Sequence, residues 1–162
     1  MALIDMETAL SSFPSSSFSS SSSSSTGQWK YDVFISFRGE DTCNTFADLL
    51  YDAFKREGII AFKDDEKLEK GKTISPELSN AIEKSRYAVV IFSKNYATST
   101  WCLNELVKIV QCEKEKIWPV FYDVEPSDVR KQKGTFEHDF IKMWRDALSK
   151  VGEIVGWPVI NR

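Results

Sequence analysis

The chain has 162 residues, 42% of them hydrophobic and 28% charged, a length and mix that suit one buried core and leave little room for a second. Its formal net charge is −3 at pH 7, and all 21 basic residues lie from Lys30 onward together with all but two of the 24 acids, so no field gathers a polyanion and nucleic acid is argued against as a partner. No apolar run nears the roughly 18 residues of a spanning helix, and Met1 to Leu10 has neither the basic start nor the long apolar stretch of a signal peptide, which argues against a membrane.

The first 29 residues hold no Lys or Arg, only two acids (Asp5 and Glu7), and 12 serines between positions 11 and 25. Such a segment cannot bury enough apolar surface to offset chain entropy, so residues 1–29 read as a disordered tail and 30–162 as the domain. A plastid transit peptide is the competing reading, and the lack of any base speaks against it. Cys43, Cys102 and Cys112 are odd in number and show no C-x-x-C spacing, so neither a disulfide framework nor a metal site is expected, and a reducing compartment fits.

From Tyr31 the pattern alternates between short apolar runs and amphipathic stretches, the order of a parallel sheet with crossover helices. Tyr31 to Ser36 is the first strand. Phe46, Leu49, Leu50, Ala53 and Phe54 recur at helical spacing, with Asp41 or Thr42 placed to cap and Gly58 placed to stop. Ile59 to Phe62 gives a second strand, and Lys63 to Lys72 a charged loop. Ser75 with Pro76 opens a short helix whose buried face is Leu78, Ala81 and Ile82. Tyr87 to Phe92 is apolar throughout, as a strand covered on both faces should be. Ser99 or Thr100 opens a third helix, with Leu103, Leu106, Val107 and Val110 towards the sheet. Ile117 to Tyr122 is a fourth strand in which Pro119 points to an edge position. Phe136, Phe140, Met143, Trp144, Ala147, Leu148 and Val151 define a last helix, and Trp157 to Arg162 has room for only a stub of a fifth strand. The expected fold is α/β, a flavodoxin-like three-layer arrangement with a four- to five-stranded parallel sheet and a shortened C-terminal part.

Such sheets take ligands at the carboxyl ends of the strands. That rim comprises residues 37–42, 63–73, 93–101 and 123–134. It contains no G-x-x-x-x-G-K-[ST], no G-x-G-x-x-G after a strand and no G-x-S-x-G, which removes support for a phosphate-cradling NTPase, a dinucleotide oxidoreductase and an α/β-hydrolase. A phosphorelay receiver would want the acidic pair Glu40 and Asp41 but also an aspartate near Ser93, which is missing. The one histidine, His138, has no second His or Cys nearby and reads as ordinary. Trp101 and Glu105, at i and i+4 on the third helix, set an aromatic plane beside a carboxylate at the rim. Spacing leaves two readings open: a site, or a tryptophan packed at a helix entrance with a glutamate favoured by the helix dipole. Arg38-Gly39-Glu40-Asp41 is equally open, as a phosphate-gripping turn or a plain helix start, and Lys67, Lys70 and Lys72 as site or solvated surface.

Taken in order, residues 31–42 (YDVFISFRGEDT), 62–65 (FKDD), Gly71, 75–78 (SPEL), 81–83 (AIE), 90–93 (VIFS), 101–106 (WCLNEL) and 119–130 (PVFYDVEPSDVR) resemble the TIR (Toll/interleukin-1 receptor) domain of plant immune receptors, and the likeness covers nearly all of residues 30–160. The resemblance implies an NAD⁺ hydrolase or ADP-ribosyl cyclase of innate immune signalling, in the cytoplasm or shared with the nucleus, active when TIR domains associate with themselves or one another. It implies NAD⁺ as substrate with no further cofactor, Glu105 as the catalytic residue, and Trp101, Arg38, Gly39, Lys70 and Lys72 around the nucleotide. Nicotinamide leaves as a neutral ring from a cationic start, so one carboxylate suffices to stabilise the oxocarbenium-like ribose, with Trp101 as a stacking surface and Arg38 or the loop lysines on phosphate oxygens.

The chain also departs from the family pattern. Cys43 stands where the family usually has arginine, Asp48-Leu49 replaces a Ser-His pair, the stretch from Phe140 to Trp144 lacks several helical turns, and no terminal helix follows Trp157. The Ser-His pair and terminal helix belong to a self-association surface of the family. The alternative expectation is therefore a non-catalytic module, adaptor or decoy, that joins other TIR domains.

Overall fold

A computed structural model describes residues 29–42, 46–63, 74–138 and 140–160. Among these, five strands, β1 (Tyr31–Ser36), β2 (Ala61–Lys63), β3 (Ser85–Phe92), β4 (Lys116–Tyr122) and β5 (Trp157–Val159), form one sheet in the order β2-β1-β3-β4-β5, every pair parallel. The period of two sorts the side chains between its faces. Val33 and Ile35 of β1, Tyr87, Val89 and Ile91 of β3, and Trp118, Val120 and Tyr122 of β4 share one apolar cluster, while Phe34, Ala88, Val90, Phe92 and Phe121 belong to the other. Residues 87–92 are buried without interruption, which is why that run carries no polar side chain.

The first face is covered by α2 (Phe46–Arg56), whose Phe46, Ala47, Leu50 and Phe54 form one buried stripe. The second face carries α3 (Pro76–Glu83), α4 (Thr100–Gln111), α5 (Pro126–Lys131) and α6 (Lys142–Gly152), through residues such as Ile82, Leu106, Val129 and Leu148. A single turn, α1 (Gly39–Thr42), follows β1. Two starts follow the expected chemistry: Ser75 accepts a hydrogen bond from the Leu78 N–H at 3.2 Å with Pro76 next, and Ser99 accepts from the Cys102 N–H at 3.2 Å. Burying each such Leu, Ile or Phe contributes about 1.5–3 kcal/mol, so these two layers supply most of the stabilisation that positions the rim.

Several expectations are corrected. The second strand is Ala61–Lys63 rather than Ile59 to Phe62, because Asp32 N–H and Val33 N–H bond the Ile60 carbonyl as the chain enters the sheet. Phe136 closes a separate 3₁₀ turn (Gly134–Phe136) and Phe140 lies before α6, both buried in the second cluster as loop residues. Asp41 and Thr42 belong to α1 rather than to the start of α2. Pro119 is not on an edge: β4 pairs with β3 and β5. Its tolerance has a local cause. A Cβ on Gly156 would lie 2.1 Å from the Pro119 carbonyl oxygen, so that carbonyl, and with it the missing N–H, faces the β5 side, where pairing begins only at Val120 opposite Trp157. The β3–β4 ladder loses no donor.

Candidate functional site

The strand order turns at β1 and β3: the chain leaves β1 for β2 on one side and returns to β3 on the other. A crevice above the carboxyl ends of these two strands is where open α/β sheets hold ligands. Ser36 ends β1 there, and α4, capped by Ser99, brings Trp101 and Glu105 one turn apart beside it. The Ser36 hydroxyl donates to Glu105 Oε1 at 2.8 Å, and the Trp101 indole N–H donates to Glu105 Oε2 at 3.1 Å. Each carboxylate oxygen is thus held by a side-chain donor, and Glu105 is 0% exposed. A buried carboxyl group without donors would cost several kcal/mol, on the order of the penalty for an unpaired polar group, and these two contacts offset it.

Behind Ser36 stands Tyr96, also fully buried, with its hydroxyl 2.8 Å from Ser36 Oγ and donating to the Cys102 carbonyl at 3.1 Å. Burial above all, with the neighbouring Cys102 and Glu105, pushes the Tyr96 phenol well above its ordinary 10.0, against the lowering effect of Ser36, so it remains protonated. In front, Asp41 ties two rim loops together. Its carboxylate accepts from Ser93 Oγ at 2.5 Å, from the Asn95 N–H at 2.8 Å and from Asn95 Nδ2 at 2.9 Å. Burial raises its pKa, but the hydrogen bonds from Ser93 and Asn95 and the Arg38 charge outweigh it, and the net result lies below 3.8. Arg38 reaches Glu40 Oε2 at 3.2 Å across the outer rim.

With this geometry in hand, the sequence of residues 30–160 matches the family described as "TIR domain". The chain belongs to the TIR domain family. This TIR domain is 50% identical over 150 residues to TMV resistance protein N of Nicotiana glutinosa, a match covering 83% of the chain and 13% of that protein. It is 50% identical over 145 residues to disease resistance protein RUN1 of Vitis rotundifolia, covering 80% of the chain and 11% of RUN1. The chain therefore spans only about an eighth of the length of these relatives. Among solved structures, the TIR domains of the activated Roq1 resistosome, which directly recognises the pathogen effector XopQ, superpose with a TM-score of 0.71 at 52% identity, covering 80% of this chain and 87% of that one. The flavodoxin-like parallel sheet and the kinship with plant disease resistance proteins follow from these matches.

Of the residues singled out from sequence, the TIR fold brings Trp101 and Glu105 together, and sets Arg38 directly after Phe37 with Gly39 opening α1. Lys70 and Lys72 lie outside the described residues, as does residue 71 between them. Two local expectations change. Glu105 is enclosed rather than open at the rim, and it stands in the second turn of α4, beyond the reach of the helix dipole. Trp101, 7% exposed, spends its N–H on Glu105 and packs its ring into the core, so it presents no free stacking face. Gly39 opens α1, in keeping with the helix-start reading of Arg38-Gly39-Glu40-Asp41. Ser36, Tyr96 and Asp41 join the site only through the folded structure. A serine closing an otherwise apolar strand at the switch point was the available signal for Ser36; nothing marked Tyr96.

Elsewhere, His138 is exposed, bonds the Thr135 carbonyl at 3.2 Å and leans on Phe140, an ordinary surface histidine. A groove of about 740 Å³ lined by Lys114, Lys116, Trp118, Lys150 and Trp157 among others lies at the amino ends of β4 and β5, opposite the carboxyl-end rim where such sheets hold ligands. Among the described residues, no three His, Cys, Asp or Glu converge as metal ligands, and no helix is long and apolar enough to cross a membrane.

Proposed function

We propose that this TIR domain cleaves the nicotinamide–ribose bond of NAD⁺ in plant immune signalling, with Glu105 as the catalytic residue. One observation carries the reading: a glutamate enclosed at the β1/β3 switch point, with one oxygen oriented by the Ser36 hydroxyl and the other by the Trp101 indole N–H. A carboxylate preoriented on both oxygens is placed to stabilise a ribose that turns cationic as neutral nicotinamide departs. A preorganised group of this kind is worth about 3–4 kcal/mol, or roughly 10²–10³ in rate. Trp101 acts on the carboxylate through its N–H. Arg38 exchanges its exposed Glu40 partner for phosphate oxygens, and Gly39 allows the loop backbone close approach. Lys70 and Lys72 are assigned to the same nucleotide as further cations.

Because Glu105 is closed off from solvent, the reaction requires its cover to open. This reading places that opening in association with other TIR domains, in the cytoplasm or shared with the nucleus, with NAD⁺ as substrate and no resident cofactor or metal. The test is nicotinamide release from NAD⁺ by purified protein, with and without a crowding agent: release by the native chain and none by Glu105→Ala supports it, and equal release by both removes Glu105 from its role.

The enclosure of Glu105 also favours a second reading, in which the carboxylate is a structural acceptor and the chain is a non-catalytic module, adaptor or decoy, of other TIR domains. Silence towards NAD⁺ under crowding, together with binding to a second TIR domain, is what this reading expects.

A further inference from the structure

Three contacts around Glu105 are served by two hydroxyl hydrogens, and their arrangement has a direction. Ser36 has one hydrogen, given to Glu105 Oε1 at 2.8 Å. The 2.8 Å contact between Ser36 Oγ and Tyr96 Oη must then be filled by the single phenolic hydrogen, which is shared more loosely with the Cys102 carbonyl at 3.1 Å. That carbonyl lies inside α4 and has a second lone pair beyond its helical N–H, so the phenolic hydrogen is shared between it and the nearer Ser36 oxygen. We infer that Ser36 is a positioning residue for Glu105, the middle member of a one-way chain of donors running from Tyr96 through Ser36 to the carboxylate. This rests on the NAD⁺-cleaving reading above.

The chain is built into rigid parts. Ser36 is in register with Val90 of the central strand, and Tyr96 begins the 3₁₀ turn (Tyr96–Thr98) whose entry is fastened by Asp41 through Ser93 and Asn95. Each donor polarises the next, so the Ser36 hydrogen bond to Glu105 is stronger than an isolated serine would make, and it fixes both the rotamer and the plane of the carboxyl group. A phenol that stays protonated keeps the direction of the chain constant across the working pH range. Ser36 and Tyr96 approach Glu105 from the β1 and β3 side and Trp101 from its own helix, so the orientation of the carboxylate is set from two sides before any nucleotide arrives.

The consequence is kinetic rather than structural. Removing the Ser36 hydroxyl costs a hydrogen bond to a charged group, which corresponds to a loss of about 10- to 100-fold in kcat, while KM for NAD⁺ stays within about twofold because Ser36 is buried and meets no substrate. Steady-state nicotinamide release is measured for Ser36→Ala, Ser36→Thr, Tyr96→Phe and the Ser36→Ala/Tyr96→Phe pair, with Glu105→Gln alongside and thermal unfolding recorded for each. The expected pattern is a kcat loss in Ser36→Ala, recovery to within about threefold in Ser36→Thr, and a smaller loss in Tyr96→Phe that vanishes in the Ser36→Ala background. Unchanged kcat in Ser36→Ala, or no recovery with threonine in a folded variant, overturns the inference while an inactive Glu105→Gln leaves the catalytic reading standing. Native turnover by Glu105→Gln overturns that reading, and the inference falls with it.

Discussion

Asp41→Ala isolates the fastening between the loop after β1 and the loop after β3. The carboxylate accepts three hydrogen bonds, at 2.5, 2.8 and 2.9 Å, from Ser93 Oγ, Asn95 N–H and Asn95 Nδ2. Bonds to a charged acceptor contribute up to about 3 kcal/mol each when dry, but this side chain is only part-buried and its donors regain water when it is removed, so the low end of about 1 kcal/mol each applies. The expected loss is about 2–3 kcal/mol at pH 7, or roughly 10 °C in Tm for a domain of this size. The pH dependence follows from the lowered pKa: the native state holds the ionised form below the ordinary 3.8. A carboxylate whose folded pKa is depressed contributes stability above its unfolded pKa and loses it as pH falls through the folded value. Urea unfolding of native and variant chains, at pH 7 and stepwise down to about pH 3, should therefore show the gap narrowing on the acid side of 3.8. A gap below about 0.5 kcal/mol at pH 7, or one that stays constant into acid, refutes the assignment of these bonds.

Leu106→Ala removes a fully buried side chain from the face of α4 packed on the sheet and should cost about 2–5 kcal/mol in urea unfolding. Gly156→Ala places a Cβ 2.1 Å from the Pro119 carbonyl oxygen and 2.9 Å from the Phe121 ring, so β5 must shift; a loss of about 1–3 kcal/mol is expected, checked by thermal unfolding. Arg38→Ala removes the ion pair to Glu40 and the cation beside Asp41; on the proposed reading KM for NAD⁺ rises by about tenfold or more with the loss of a phosphate contact, measured by steady-state nicotinamide release.

The sheet was legible because its strands are buried on two faces and read as apolar runs, as residues 87–92 do, and because Ser75 and Ser99 carry the chemistry of helix starts. Phe136 and Phe140 misled for a physical reason: aromatic residues that plug a core from a loop satisfy helical spacing as well as those on a helix. Pro119 misled because a proline excludes only one side of a strand, and which side depends on where β5 begins. At the site, the i, i+4 spacing of Trp101 and Glu105 was sufficient to bring them together, but not to show that the indole serves the carboxylate through its N–H. Ser36 and Tyr96 are 60 residues apart and meet only through the pairing of β1 with β3, a tertiary event that no local pattern records.

Glu105→Gln keeps the shape of the side chain and removes only its charge, so it tests the central claim most directly. Nicotinamide release from NAD⁺ is measured for native and Glu105→Gln chains across a range of protein concentrations under crowding, with unfolding curves confirming that both are folded. The account predicts release that rises steeply with concentration in the native chain and is absent in the variant; equal release by the two would show that this carboxylate does not carry the reaction.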